Sequence, residues 1–392
     1  MNYNIKYIDT AAKYSEMMHC LSDKKVIYID LEFDKNHFRY GFNICLLQLY
    51  DGTTCFVIDP LANIELKSLF QLIEDPAVQK VCFAFNEDMR LLVHLGAQPH
   101  NIYDLSVAQR LLNTEPLSLT NSLIQFLSPD QYSESSSQQK SNWFLRPLSE
   151  KQITYAAEDV LFLPALKVEV SKKLQEEKRE VWFAQEMDAF EKYDWSGSES
   201  SYLTQKDQKL LSRQEWVRFQ EIMTYREELA KSIHRPSYKA IPRNTLFELA
   251  QTPSKIKNVD FFKGFHPKLK KKSVQEKFEK CLQQAANTIA KEKIKPSEKS
   301  IPIPSNAEKL SGNKRRKRNQ EIKDYFFLPI KKEVIKNYGE HFGNFFLSNR
   351  KMIEYANKNM ELLPYQNNML LSIAQNLNLS VPDFIIQKNE TK

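Results

Sequence analysis

Through the first 170 residues, short apolar runs closed by turn residues alternate with stretches whose apolar positions fall at helical spacing. Val26-Ile27-Tyr28-Ile29 is β-branched and apolar and ends at Asp30. Ile44 to Tyr50 is a second run, followed by the hairpin dipeptide Asp51-Gly52, and Cys55-Phe56-Val57-Ile58 stops at Asp59-Pro60. Turn-linked runs predict an antiparallel meander. Val81 to Phe85 follows a helical segment over 65–74 and is expected to join the sheet in parallel. Asp88 to His94 and Leu105 to Leu112 carry helical spacing. Residues 128–141 are polar and read as a solvent-exposed loop. Ser149-Glu150-Lys151-Gln152 is a capping-box pattern opening a helix through Leu161, and a charged linking helix is expected over 167–192.

The rear half reads differently. Residues 207–288 hold four helical segments broken at Arg235-Pro236, Ile241-Pro242 and Gly264-Phe265-His266-Pro267. Residues 291–320, with Lys314-Arg315-Arg316-Lys317-Arg318, read as a flexible basic linker, and a last helical block covers 321–392. The expected fold is therefore an α/β domain, a mixed sheet flanked by helices over 1–195, followed by all-α domains over 207–290 and 321–392.

Composition narrows the chemistry. Only 8 of 392 residues are glycine, and neither GxGxxG nor GxxxxGK[ST] occurs, which removes the common nucleotide-cradling loops. The five cysteines are scattered without a Cys-x-x-Cys, and histidine is scarce, so a zinc site or disulfide framework is not expected. No apolar run is long enough for a membrane helix. The start, MNYNIKYIDT, has no secretory pattern. A cytoplasmic, membrane-free protein is the expectation. Residues 1–165 carry 13 Lys+Arg against 20 Asp+Glu, a net of −7, and the rest carries +14. Such a split suits carboxylates that hold cations in front and a surface that grips phosphates behind; it also suits a basic half that only confers solubility.

The carboxylates give the sharpest signal. Asp30 and Glu32, two apart on a strand, face the same way. They are either a divalent-metal platform or two solvated acids where the strand meets water. Asp88 follows an apolar strand, where a helix-starting acid is common. Tyr155 and Asp159 lie four apart on one helix face. Four acids and a tyrosine from separated segments form an oxygen-rich set that suits Mg²⁺ or Mn²⁺.

Three of these segments resemble the exonuclease motifs of the ribonuclease D family, 3′→5′ exoribonucleases of the DEDD type in its tyrosine form. They are Tyr28-Ile29-Asp30-Leu31-Glu32-Phe33, the stretch Lys80 to Met89, and Asn142-Trp143-Phe144-Leu145-Arg146-Pro147-Leu148-Ser149 leading into Tyr155 to Val160. The resemblance covers about residues 15–170. It extends loosely over 207–288 to an HRDC-like helical domain, through Trp216 to Glu227 and Pro242 to Leu246; 321–392 reads as a diverged second copy. Phe83 stands where the family commonly has histidine, and Asn142 where an aspartate is usual. The resemblance implies an RNase H-like catalytic fold and two divalent ions. Asp30, Glu32 and Asp159 would hold the first, Asp30 bridging to the second, which Asp88 supports. Tyr155 would orient the attacking water. Phe33 would pack on the terminal base or in the core. Lys268, Lys270, Lys271, Lys272, Arg315 and Arg316 are candidate phosphate contacts. The implied substrate is RNA with a free 3′ end, such as a tRNA or other structured RNA trailer. DNA 3′ ends and a non-catalytic nucleic-acid-binding role are the competing readings, and the oligomeric state stays open. All four acids precede residue 160, so a 1–195 fragment is expected to keep the chemistry.

Overall fold

A computed structural model describes residues 4–115, 118–127, 141–197, 202–301, 306–382 and 385. The expected loop over 128–141 lies outside the described residues except for Ser141. The chain begins with β1 (Asn4–Ile8), α1 (Ala11–Leu21), β2 (Val26–Lys35), β3 (Phe42–Tyr50) and β4 (Thr54–Ile58). It continues through α2 (Lys67–Glu74), β5 (Gln79–Cys82), α3 (Asn86–His94), β6 (Ile102–Asp104), α4 (Leu105–Leu111) and α5 (Leu119–Phe126). The six strands form one mixed sheet in the order β1-β4-β3-β2-β5-β6. β3 and β4 are antiparallel, as Asp51-Gly52 predicts, with Leu47 opposite Ile58. β5 runs parallel to β2, pairing Val81 with Tyr28, and to β6. β1 and β6 were not predicted: β6 has three residues, and β1 buries only Ile8, so neither shows a clear apolar run.

β2 is longer than its apolar run. Ile27, Ile29 and Leu31 are buried on one face, while Tyr28, Asp30 and Glu32 alternate onto the other. The two acids therefore sit within the strand, not at its end.

α6 (Glu150–Leu161) opens on the capping box read from Ser149 and Gln152. Its Ala156 and Ala157, fully buried and small, let the helix lie close in its packing against β4. The single linking helix expected over 167–192 is two helices, α7 (Leu163–Glu176) and α8 (Glu180–Lys192). Lys178 breaks them with a left-handed backbone (φ 55°).

The next helices are α9 (Gln205–Leu210), α10 (Arg213–Ser232), α11 (Ser237–Ala240), α12 (Arg243–Gln251) and α13 (Lys272–Lys291). They surround a core that includes Phe219, Ile222, Leu246, Phe261 and Phe278. The linker expected over 291–320 instead contains a helix, α14 (Asn306–Ile322). A π turn over Lys323–Phe327 carries the chain into α15 (Leu328–Tyr338), α16 (Glu340–Phe346), α17 (Asn349–Ala356) and α18 (Pro364–Asn376).

Contacts divide the chain into two units, and neither follows the expected boundaries. One holds the chain up to Glu32, Cys45–Ser196 and everything from Asn306 on; the other holds Phe33–Ile44 and the segment from Gly197 to α14. In this division the C-terminal helices group with the sheet. The tip of the β2–β3 hairpin belongs with α9–α13. Among the described residues, no helix is long and apolar enough to cross a membrane.

Candidate active site

Three elements of the first unit converge on one group of acids. β2 supplies Asp30 and Glu32, the first turn of α3 supplies Asp88, and α6 supplies Tyr155 and Asp159. Oxygens of Asp30, Glu32 and Asp159 lie within 4.8 Å of one another. Asp88 lies outside this triad but close enough for its charge to act on Asp30 and Glu32.

The cluster resists ionisation. Burial holds the Asp30 and Glu32 carboxyls well above their usual range, and the charges of Asp159 and Asp88 push the same way. Asp88 is pushed up to about 7 by burial, with Asp104 and Glu87 adding to it. Asp159 is pushed up to about 7 by burial and then by Glu158. The Tyr155 hydroxyl is raised above its usual value by burial and by Asp159, Glu32 and Asp30, so it stays protonated.

Oxygen donors packed this tightly are unfavourable alone and favourable around a hard cation. Asp88 adds a buried Oδ1 with no hydrogen-bond partner. The donor set fits a divalent metal ion.

Two supports were missed in the sequence. Asp104, fully buried where β6 meets α4, accepts the N–H groups of Ala84, Phe85 and Ser106 at 2.8–2.9 Å. Ala84 is left-handed (φ 56°), and these bonds hold the turn that starts α3 and aims Asp88. Its sequence signal is an aspartate at a strand-to-helix junction, which also fits an ordinary cap. The second support is Arg146. Its guanidinium grips Asp59 through two bonds, of 2.5 and 2.7 Å, and donates to the carbonyls of Trp143, Leu145 and Cys45. Tyr7 donates to the same carboxylate. These bonds tie the segment before α6 to the end of β4. Trp143, buried, sets its ring 6.2 Å from that of Tyr155. Asn142 caps locally, accepting the Phe144 N–H at 3.2 Å, and Phe83 is half-buried.

The candidate substrate contacts lie outside the cluster. Phe33 packs edge-on against Phe42 across the hairpin (centroids 5.3 Å). Lys268, Lys270, Lys271 and Lys272 are exposed at and just before the start of α13, in the second unit. Arg315 and Arg316 are exposed on α14, in the first.

Comparison with known proteins bears on this geometry. The family model described as 3′-5′ exonuclease matches residues 5–176. The chain is 31% identical over 201 residues to ribonuclease D of Desulfotalea psychrophila, across 50% of this chain and 53% of that protein. It is 27% identical over 252 residues to ribonuclease D of Bartonella henselae, across 64% of this chain and 61% of that one. The matches thus span a little over half of these relatives' lengths. The crystal structure of Escherichia coli RNase D superposes with a TM-score of 0.65 at 17% identity, covering 96% of this chain and 99% of the other. The catalytic core of RRP6 from Trypanosoma brucei superposes with 0.59 at 21% identity, over 74% and 81%. At these identities the superpositions establish a shared fold.

Proposed function

We propose that the chain is a metal-dependent 3′-5′ exoribonuclease acting on RNA 3′ ends, including trailers of tRNA or other structured RNAs, a reading supported by the match of residues 5–176 to the family model described as 3′-5′ exonuclease. The observation that carries the reading is the triad of Asp30, Glu32 and Asp159, with its oxygens within 4.8 Å and its carboxyls raised by burial and then by neighbouring acids. The similarity to ribonucleases D supports RNA over DNA.

In this reading Asp30, Glu32 and Asp159 would hold one divalent ion, and Asp88 together with Asp30 would help to hold a second. Mg²⁺ or Mn²⁺ bound there would supply Lewis acidity and charge neutralisation at the scissile phosphate. The protein's own part is positioning. β2 and α6 fix the donors on rigid elements, Asp104 holds the turn behind Asp88, and Arg146 anchors the approach to Tyr155. Tyr155, one helical turn before Asp159, would orient the attacking water through its hydroxyl.

The test is digestion of matched RNA and DNA 3′ ends with Mg²⁺ or Mn²⁺, using the wild type, Asp30→Asn and Asp159→Asn. The expected result is stepwise shortening of RNA from the 3′ end, lost in both variants while RNA binding persists. Wild-type turnover in either variant would sink the site assignment. Preference for DNA would favour the competing nuclease, and RNA binding without hydrolysis by the wild type would favour a non-catalytic role.

A further inference from the structure

The basic run of α14 leads into a cavity of about 390 Å³ on the first unit. Arg318, Glu321 and Ile322 of α14, Tyr325 of the π turn, Lys358 just past α17, and Ser380 line it. We propose that this cavity and the helix beside it form a second nucleotide-binding site. It would take a nucleotide of the RNA chain other than the one being cleaved, with phosphates on Arg318 and Lys358 and a base against Tyr325. The proposal rests on the RNA reading above and adds a site to it.

Four observations carry it. First, the two cations are brought to one cavity by a half-buried contact: the Asn319 side-chain N–H donates to the side-chain Oδ1 of Asn357 at 2.7 Å, next in sequence to Arg318 and Lys358. Second, neither Arg318 nor Lys358 has an ion-pair partner among the described residues. The one acid in the lining, Glu321, is placed 3.9 Å from Lys317. Two cations against one carboxylate leave the lining net positive, which attracts an anion. Third, the aromatic run Tyr325-Phe326-Phe327 divides its rings. Phe326 and Phe327 are fully buried, whereas Tyr325 is 47% exposed and lines the cavity. An exposed ring beside two cations suits a nucleobase with its phosphates, since stacking contributes about 1–3 kcal/mol per base whatever its identity. Inorganic phosphate would leave the ring unused. Fourth, Lys314, Arg315, Arg316 and Lys317 continue the charge along an exposed helical stretch, offering contacts to further phosphates of one strand.

Binding is measured without turnover, on the full chain in EDTA, by fluorescence anisotropy. The probes are a labelled RNA hairpin with a single-stranded 3′ tail, a labelled RNA tetranucleotide, and unlabelled adenosine 5′-monophosphate and polyglutamate as competitors. The variants are Arg318→Glu with Lys358→Glu, and Tyr325→Ala, each checked for an unchanged melting curve. The double variant is expected to weaken hairpin binding about tenfold or more and to reduce the slope of log K against log[salt] by ~1.4, two single-strand phosphates' worth. Tyr325→Ala is expected to weaken it about fivefold or more with the salt slope unchanged. The ratio of hairpin to tetranucleotide Kd should rise in both. Equal losses on the two RNAs, no loss, or a double variant with an unaltered salt slope would overturn the site. So would competition by polyglutamate as effective as by RNA, which would indicate an acidic protein partner. Tight competition by the mononucleotide, abolished in the double variant, would mean the site takes free product nucleotides and would overturn its assignment to the RNA chain. Failure of the wild type to hydrolyse RNA would sink the enzymatic reading alone, because this binding assay does not depend on it.

Discussion

Tyr155 loses one atom in Tyr155→Phe, and that atom is no metal ligand in the proposed scheme. A rate loss of roughly 10²–10⁴-fold is expected, the range for one positioned proton-transfer group, with metal affinity nearly unchanged; single-turnover kinetics and metal titration check both. Asp104 offers a different test, because it never faces the substrate. Asp104→Ala leaves the buried N–H of Phe85 and that of Ala84 without their acceptor, at about 1–3 kcal/mol for each buried orphan. Urea unfolding should show a loss of ~2–4 kcal/mol, and activity should fall as Asp88 is released from its orientation. A stability loss without an activity loss would show that the turn does not aim Asp88. The contrast between these residues explains what could be read beforehand. The four acids and Tyr155 could be singled out as a set because the segments that carry them resemble the exonuclease motifs; alone, Asp88 reads as a helix-starting acid and Tyr155 with Asp159 as a helix-face pair. Asp104 could not be singled out, since its partners lie 19 and 20 positions away, and Arg146 was quoted in a motif without its partner Asp59, 87 residues distant.

Among elements, β2, α3 and α6 are held together around charges that repel one another. The sign of the pH effect follows from the raised carboxyls. Asp88 and Asp159 titrate near about 7 when folded and near ~3.9 when unfolded. Below the unfolded value both states are protonated and there is no penalty. As pH rises from ~4 towards about 7 the unfolded chain ionises while the buried carboxyls keep their protons, so the metal-free protein loses stability across that window and no further above it. In EDTA, Asp159→Asn should therefore match the wild type near pH 4 and melt higher above pH 7, by ~1–3 °C for each kcal/mol relieved. Saturating Mg²⁺ or Mn²⁺ should erase or reverse the difference. A pH-independent offset would mean that the acids do not crowd one another. Other elements show where sequence patterns mislead. α14 was read as linker because Lys314–Arg318 offers no apolar period, yet lysine, arginine and glutamine are good helix formers. The buried side chains among its described residues, Asn319 and Ile322, lie near its end. Helical periodicity ran unbroken over 167–192, and no glycine marked the break that Lys178 makes.

At the scale of the whole molecule, the split between acidic and basic halves does not follow the split into units. The C-terminal helices close over the helices behind the sheet. Trp182 of α8 stacks on Tyr365 (5.1 Å) and Phe342 (5.6 Å), and the Arg179 guanidinium lies 5.4–5.6 Å from the rings of Trp182, Tyr338 and Phe342. Tyr365 also donates to Glu186. The approach is close: Gly339 (φ +94°) lies where an added Cβ would fall 2.0 Å from the Asn113 side chain. In the second unit the hairpin tip is held by Lys239, whose ammonium donates to the His37 carbonyl at 2.8 Å. A cut at residue 195 therefore removes two supports at once, the cover over Trp182 and the grip on the hairpin whose strand β2 carries Asp30 and Glu32. The expectation that a 1–195 fragment keeps the chemistry is revised. The fragment should aggregate or melt well below the full chain, with kcat at saturating substrate lower by about tenfold or more, since misplacing reacting groups by an ångström can lose ~10²-fold. Trp182→Ala in the full chain isolates the first support and should lower stability by about 2–3 kcal/mol, less than the ~3–5 of a fully buried tryptophan. Thermal melts and steady-state kinetics on both proteins decide the matter. A fragment that melts and turns over like the full chain would show that the C-terminal helices and the second unit serve binding alone.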